Sequence, residues 1–327
     1  MQIPALWALE NPFRLLPFLL LSSACFGQYA GSEACRACHA SEYQSQSLTG
    51  HARALARSSQ GQPGDWAFGA GIQAITFVSR FDADHYMELG ESWYRATNSF
   101  GVTPGHRDNS GVEYRTFDPS AGIVRCFACH STGYLQLNED RSITPAEPGV
   151  HCEVCHGPSA AHVANPASVH PRNPGRMNGV EMNALCGSCH RAQSSAEDTP
   201  DLRDPWNSRH QPLLLAASAC FRKSDGKLTC INCHSPHQPL ETRSSSYNAA
   251  CRKCHADVRH EQAVGDRACS ECHMPAVKID ANLAFANHRI AIYSPQDALS
   301  PIATSKAGTR APVAAPPASG HSGAIKK

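Results

Sequence analysis

The stretch Cys126–His162, CFACHSTGYLQLNEDRSITPAEPGVHCEVCHGPSAAH, carries Cys-x-x-Cys-His twice, at Cys126–His130 and at Cys152–His156, and ends on a further histidine, His162. Two thiols one helical turn apart can each form a thioether to one edge of a single porphyrin. The histidine that follows is then placed under the iron as its axial ligand. The rest of the chain repeats this plan. Cys35 and Cys38 precede His39, Cys126 and Cys129 precede His130, and Cys152 and Cys155 precede His156. Cys186 and Cys189 precede His190, Cys230 and Cys233 precede His234, Cys251 and Cys254 precede His255, and Cys269 and Cys272 precede His273. At this chain's own Cys and His frequencies chance supplies about 0.04 copies, so the repeated motif is signal. Structural zinc also uses Cys pairs two residues apart, but it has no need of a histidine directly after the second Cys every time.

Seven motifs predict seven covalently attached haem c groups. A chain of 327 residues then has about forty mature residues per haem, too few for each to have its own protein core. The macrocycles must supply much of the apolar interior, and an aromatic content of 7% fits that. The expected fold is mainly α with extensive loops, wrapped around a haem stack, and poorly folded without haem. Net charge is +1, with no dense basic run, which argues against a nucleic-acid partner. Haem propionates make the loaded protein more acidic than its sequence.

Residues 1–27 read as an export signal: Arg14 precedes the apolar run Leu15–Leu21, and small residues follow. Export to the periplasm or beyond agrees with haem c, which is attached outside the cytoplasmic membrane. Cys25 raises lipid attachment, but Ser22 stands where that signal prefers an aliphatic residue. The haem domain is expected over 28–293. Residues 294–327, rich in Ala, Pro, Ser and Gly, read as a disordered, mildly basic tail.

Ser32 is the expected N-cap of a helix carrying the first motif. His51 opens a run, HARALARSS, read as a second short helix, and offers itself as a distal ligand. Residues 52–125 hold no motif. QAITFVSR, HYMEL and SWYRAT are rich in β-branched and aromatic residues, and Gly90-Glu91 suits a tight turn. A small antiparallel meander is expected over 73–97. It serves either as a lid over one haem face or as a pocket wall carrying Arg80, His85, Arg95, His106 and Arg107. His151 and His170 are read as non-ligands. His210 precedes an apolar run and can approach an iron. Cys220 is used by no motif and reads as a small buried apolar residue. His237 lies three residues after His234, too short a tether to reach the other face of the same haem, so it is expected to serve a neighbour. His288 is the natural late donor.

The strings EPGVHCEVCHGPSAAH, CHSPH at 233–237 and CHMP at 272–275 resemble multihaem c cytochromes, in particular the group containing the tetrahaem electron acceptor of hydroxylamine oxidoreductase. Hydroxylamine oxidoreductase and cytochrome c nitrite reductase are more distant relatives of that group. The resemblance runs in patches over 30–293 and is poor across 60–120. It implies that His162 and His237 serve neighbouring haems, and that His51, His210 and His288 stand where such proteins place other distal ligands. All seven motifs here end in His, whereas the nitrite reductases carry a catalytic motif ending in Lys. The tyrosine that hydroxylamine oxidoreductase cross-links to its catalytic haem has no match here.

Histidine on both axial faces leaves an iron no open site, so such a haem exchanges only electrons. The expected function is electron transfer between redox partner proteins, a donor and an acceptor, with membrane association left open. Seven irons need seven distal ligands. His51, His162, His210, His237 and His288 are nominated, and His106 as a sixth. The last place is left to Met177, Met182 or an open site. An open site would allow a different role, oxidation or reduction of a small nitrogen or sulfur oxyanion. A third reading makes the chain a subunit of a larger redox complex.

Overall fold

Every second residue of His85–Tyr94 from Tyr86 onward is apolar or small, save Glu88, and this period of two builds the longest strand among the described residues. The computed structural model describes residues 27–116, 122–191, 200–205, 207–258, 260 and 265–302. Most of the expected export signal, residues 1–26, and the tail from 303 lie outside them. Residues 294–302, read as the start of the tail, are held: Asn287 Nδ2 donates to Ala298 O at 2.9 Å and Ile302 N to Ile292 O at 2.8 Å.

The motif-free stretch forms a six-stranded antiparallel sheet: β1 (Leu55–Arg57), β2 (Trp66–Phe68), β3 (Ala74–Arg80), β4 (His85–Tyr94), β5 (Ser99–Val102) and β6 (Val112–Arg115). The strands lie in the order β1-β2-β3-β4-β5, and β6 shares the outer edge of β4 with β5. The sheet is larger than the meander expected over 73–97, and two local expectations fail within it. The chain from His51 does not continue as a helix; residues 51–53 turn and β1 follows. Gly90 and Glu91 lie inside β4 rather than in a turn. Gly90 is there because a Cβ would stand 2.0 Å from Asn109 O. The loop before β6 crosses the strand at that point, and only glycine permits the approach.

One hydrophobic core joins this sheet to the second motif. It comprises Leu55, Trp66, Phe68, Val78, Tyr86, Ile123, Phe127 and Ile143. Phe127 is the residue between the two cysteines' first pair of positions in Cys126–Cys129, and it is 0% exposed. Trp66, Phe68 and Tyr86 meet its ring edge to face at centroid distances of 5.2, 5.1 and 6.0 Å. The second motif is therefore anchored by its own variable residue.

Helices are short: α1 (Ser32–Cys35), α2 (Ala40–Ser47), α3 (Ile123–His130), α4 (Cys152–His156), α5 (Ala160–Ala164), α6 (Gly179–His190), α7 (Gln211–Ala216), α8 (Ala219–Lys223), α9 (Asn248–Arg252) and α10 (Cys269–His273). The hairpin β7 (Ser131–Leu137)–β8 (Ile143–Pro148) joins α3 to α4, and a second hairpin, β9 (Ala276–Lys278)–β10 (Ala284–Ala286), follows α10. Among the described residues 29% are helical and 20% lie in strands, a mixed composition rather than a mainly α one. The expectation failed because helix was inferred from the motifs, and most motifs need a single turn of it. The exception is α6, which has a full capping box between Asn178 and Glu181 and packs on the buried Leu213–Leu215 of α7. Ser32 is not an N-cap. It is the first residue of α1, and its hydroxyl donates to Glu147. No helix among the described residues is long and apolar enough to cross a membrane.

Candidate haem-binding sites

Each motif closes as one helical turn. His39 N, His234 N and His255 N donate to the carbonyl of the first cysteine of their motif at 2.9, 3.0 and 3.0 Å. The second and third motifs are helical throughout, as is the seventh, and the fourth is the last turn of α6. A turn of this kind puts both thiols on one side and the histidine just beyond them.

Five motif histidines face a second histidine from elsewhere in the chain. His39 faces His162 with ring centroids 6.4 Å apart, His190 faces His51 at 6.0 Å, and His156 faces His237 at 6.1 Å. His234 faces His288 at 6.2 Å, and His273 faces His260 at 6.4 Å. Two metal–nitrogen bonds of about 2.0 Å, with each ring centre about 1.1 Å behind its ligating nitrogen, give about 6.2 Å. The five pairs have the separation that one iron between two imidazoles demands.

The other ring nitrogen is often already engaged. Nδ1 of His156, His273 and His288 lies 3.0, 2.9 and 2.9 Å from the carbonyls of Arg172, Ala291 and Ala286. Nδ1 of His162 and His130 lies 2.6 and 2.9 Å from those of Val169 and Ala54. A carbonyl only accepts, so Nδ1 carries the proton and Nε2 keeps its lone pair for a metal. Burial pushes the imidazoles of His190 and His288 down to about 4, and lowers those of His51, His130, His156 and His234 as well. These rings are neutral near pH 7, the state in which imidazole ligates. The donor set and its spacing fit haem.

A family model described as cytochrome c554 and c-prime matches residues 92–157, which include the second and third motifs. The crystal structure of the outer cell wall cytochrome OcwA is similar with a TM-score of 0.53 at 16% identity, over 80% of this chain and 79% of that one. The fold is that of a multihaem cytochrome. An undecahaem cytochrome from the S-layer of Carboxydothermus ferrireducens is similar with a TM-score of 0.43 at 18% identity, over 75% of this chain and 44% of that one. No curated protein matches.

In this cytochrome fold the second and sixth motifs differ from the other five. Neither His130 nor His255 belongs to a histidine pair among the described residues. His130 instead meets the ring of Phe68 at 5.3 Å. His106, nominated as a distal ligand, is 4% exposed with Nε2 3.4 Å from Glu88, and neither ring nitrogen has a hydrogen bond. Tyr114 donates to the same carboxylate at 3.0 Å, and Arg209 and Cys126 lie within its electrostatic reach. Desolvation first, then Glu88, raises the Tyr114 phenol. Desolvation lowers the Arg209 guanidinium.

His210 heads α7 as its N-cap residue and is in none of the five pairs. Met182 is buried in α6 and Met177 follows the turn Pro174–Arg176. Both nitrogens of His151 lie near acceptors, Pro148 O at 3.0 Å and Gln46 Oε1 at 3.4 Å, and those of His85 lie near the carboxylates of Asp82 and Glu113. His170 is exposed, and Cys220 is partly buried in α8. His260 was missed by sequence reading. It sits between the sixth and seventh motifs in the polar run DVRHEQ, with no breaker or apolar neighbour pattern to single it out. The available signal was its position alone, a histidine between two motifs only eighteen residues apart.

Proposed function

We propose that this chain binds seven haem c groups through its seven motifs and carries electrons between redox partner proteins outside the cytoplasmic membrane. The observation that carries the reading is the set of five histidine pairs at 6.0–6.4 Å, each joining one motif histidine to one outside the motifs. Bound haem supplies one-electron chemistry. The motif cysteines would attach it, and at five sites the paired histidines would hold the iron between two imidazoles and so would keep it from taking an exogenous ligand. In this reading His162, His51, His237, His288 and His260 complete the first, fourth, third, fifth and seventh sites. Each pair except His260–His273 ties together segments far apart in sequence, so ligation also holds the array in register.

The test is His237→Ala. His237 and His156 are near parallel, with an interplanar angle of 17°. The variant should lose one low-spin signal in electron paramagnetic resonance (EPR) and gain one high-spin signal, with haem still attached at Cys152 and Cys155. An unchanged spin count refutes the pairing.

Catalysis at the second site is the alternative, and the cluster of Glu88, His106, Tyr114 and Arg209 near Cys126 favours it. A cation and buried proton donors there would stabilise charge on a bound oxyanion. A high-spin signal in the wild-type protein that nitrite or hydroxylamine shifts supports catalysis; its absence supports the carrier.

A further inference from the structure

The one buried carboxylate among the described residues stands inside a motif. Glu153 follows Cys152 in the third motif and is 2% exposed. Three backbone N–H groups donate to it: Ala30 N at 2.9 Å, Gly31 N at 2.8 Å and Ser159 N at 2.7 Å. Donors surround it, which is the company an ionised carboxylate keeps. It forms none of the ion pairs found among the described residues. The guanidinium of Arg172 is engaged at the C-terminal end of α4, donating to Cys155 O at 2.8 Å and Val154 O at 3.2 Å.

The donors place this charge between the first and third sites. Gly31 is the N-cap residue of α1, and α1 ends on Cys35, the first attachment cysteine of the first motif. Four helical residues rise about 6 Å, so the carboxylate lies within about one turn of that cysteine. Cys152, the first attachment cysteine of the third motif, is its neighbour in sequence. Ser159 is the N-cap residue of α5, and α5 carries the His162 ring that faces His39. One side chain therefore grips the start of the helix that holds Cys35 and the start of the helix that brings His162 across. Glu147, only half-buried, adds to the first grip by accepting from Ser32 N at 3.2 Å.

We propose that Glu153 sets the potentials of the first and third haems, holding both lower than their axial histidines alone would. A negative charge beside a haem favours ferric over ferrous iron, and away from water it is screened little. No other Asp or Glu among the described residues is buried, so this bias falls on two of the seven sites. Both haems are thereby better electron donors to the rest of the array. Glu153 is a positioning residue as well: through Ser159 it keeps His162 opposite His39. Both effects rest on the proposed loading of all seven motifs.

The test is an EPR-monitored potentiometric titration of the haem-loaded protein. The signals of the first and third haems are those lost in His162→Ala and His237→Ala. Glu153→Gln keeps the shape of the side chain and removes its charge, so these two midpoints should rise while the other five hold. Glu153→Asp restores the charge and should return both midpoints toward their wild-type values. A purely structural role predicts no such rescue, because Asp is shorter and reaches the three donors less well. A rise at neither haem, an equal rise at all seven, or an Asp variant shifted as far as the Gln variant overturns the proposal. If Glu153→Gln does not mature, Ala30→Lys takes its place. It keeps the carboxylate, brings an ammonium beside it and should raise the same two midpoints; if neither moves, the proposal is overturned. An intact mass that lacks haem at the first or third motif defeats the underlying reading. Seven haems with both midpoints unmoved defeat the role of Glu153 alone.

Discussion

Produced without haem attachment, the chain should keep amide protection across residues 55–148 and lose it across 216–276. The reason is where the protein's own core lies. The sheet and the second motif share eight buried hydrophobic residues, among them Trp66, Tyr86 and Phe127. Among the described residues of 216–276, Ala268 is the one hydrophobic residue that is buried, although three motifs fall there. Burial of apolar surface is the main favourable term in folding, at about 25 cal/mol per Å². A segment with one buried alanine cannot offset its ordering entropy, which is about 1–2 kcal/mol per residue for the backbone alone. In the proposed reading, haem attached at Cys230, Cys251 and Cys269 would supply that term. Hydrogen exchange of chain made without the attachment machinery measures this directly. Rates in 216–276 close to those of an unfolded chain are expected, and slow exchange there would show that the segment has a core of its own.

Phe127→Ala should destabilise the haem-loaded protein by about 3–5 kcal/mol, the usual cost of removing a fully buried aromatic side chain. Three aromatic rings lose their common partner, and the cavity opens between two cysteines whose positions the haem fixes, so collapse is limited. Phe127→Leu should cost less, because most of the volume remains. Denaturant unfolding gives the number. A loss under about 1 kcal/mol would mean that the second motif is held by its haem and not by the sheet.

The motifs were legible in the sequence because attachment chemistry is local: two thiols and an imidazole within five residues. The axial pairs are not local. His51 and His190 are brought together by a turn, a sheet and a helix, and only the folded chain shows it. His237 was expected to serve a neighbouring haem because three residues cannot span one; the folded chain sets its ring 6.1 Å from that of His156 in the third motif, which that argument could not name. His260 had no such argument and was overlooked; its ring lies 6.4 Å from that of His273. The sheet was underestimated for a related reason. Leu55–Arg57 and Trp66–Phe68 are three-residue strands, too short to show alternation. Gly90 carries the same letter whether it makes a turn or admits a crossing loop; Asn109 decides, and it is nineteen positions away.

The central claim is that paired histidines close most of the irons, and the EPR spectrum of the fully oxidised wild-type protein, quantified against total iron, tests it most directly. The account predicts at least five low-spin haems per chain. Fewer than five low-spin haems in a protein carrying its full iron would contradict it.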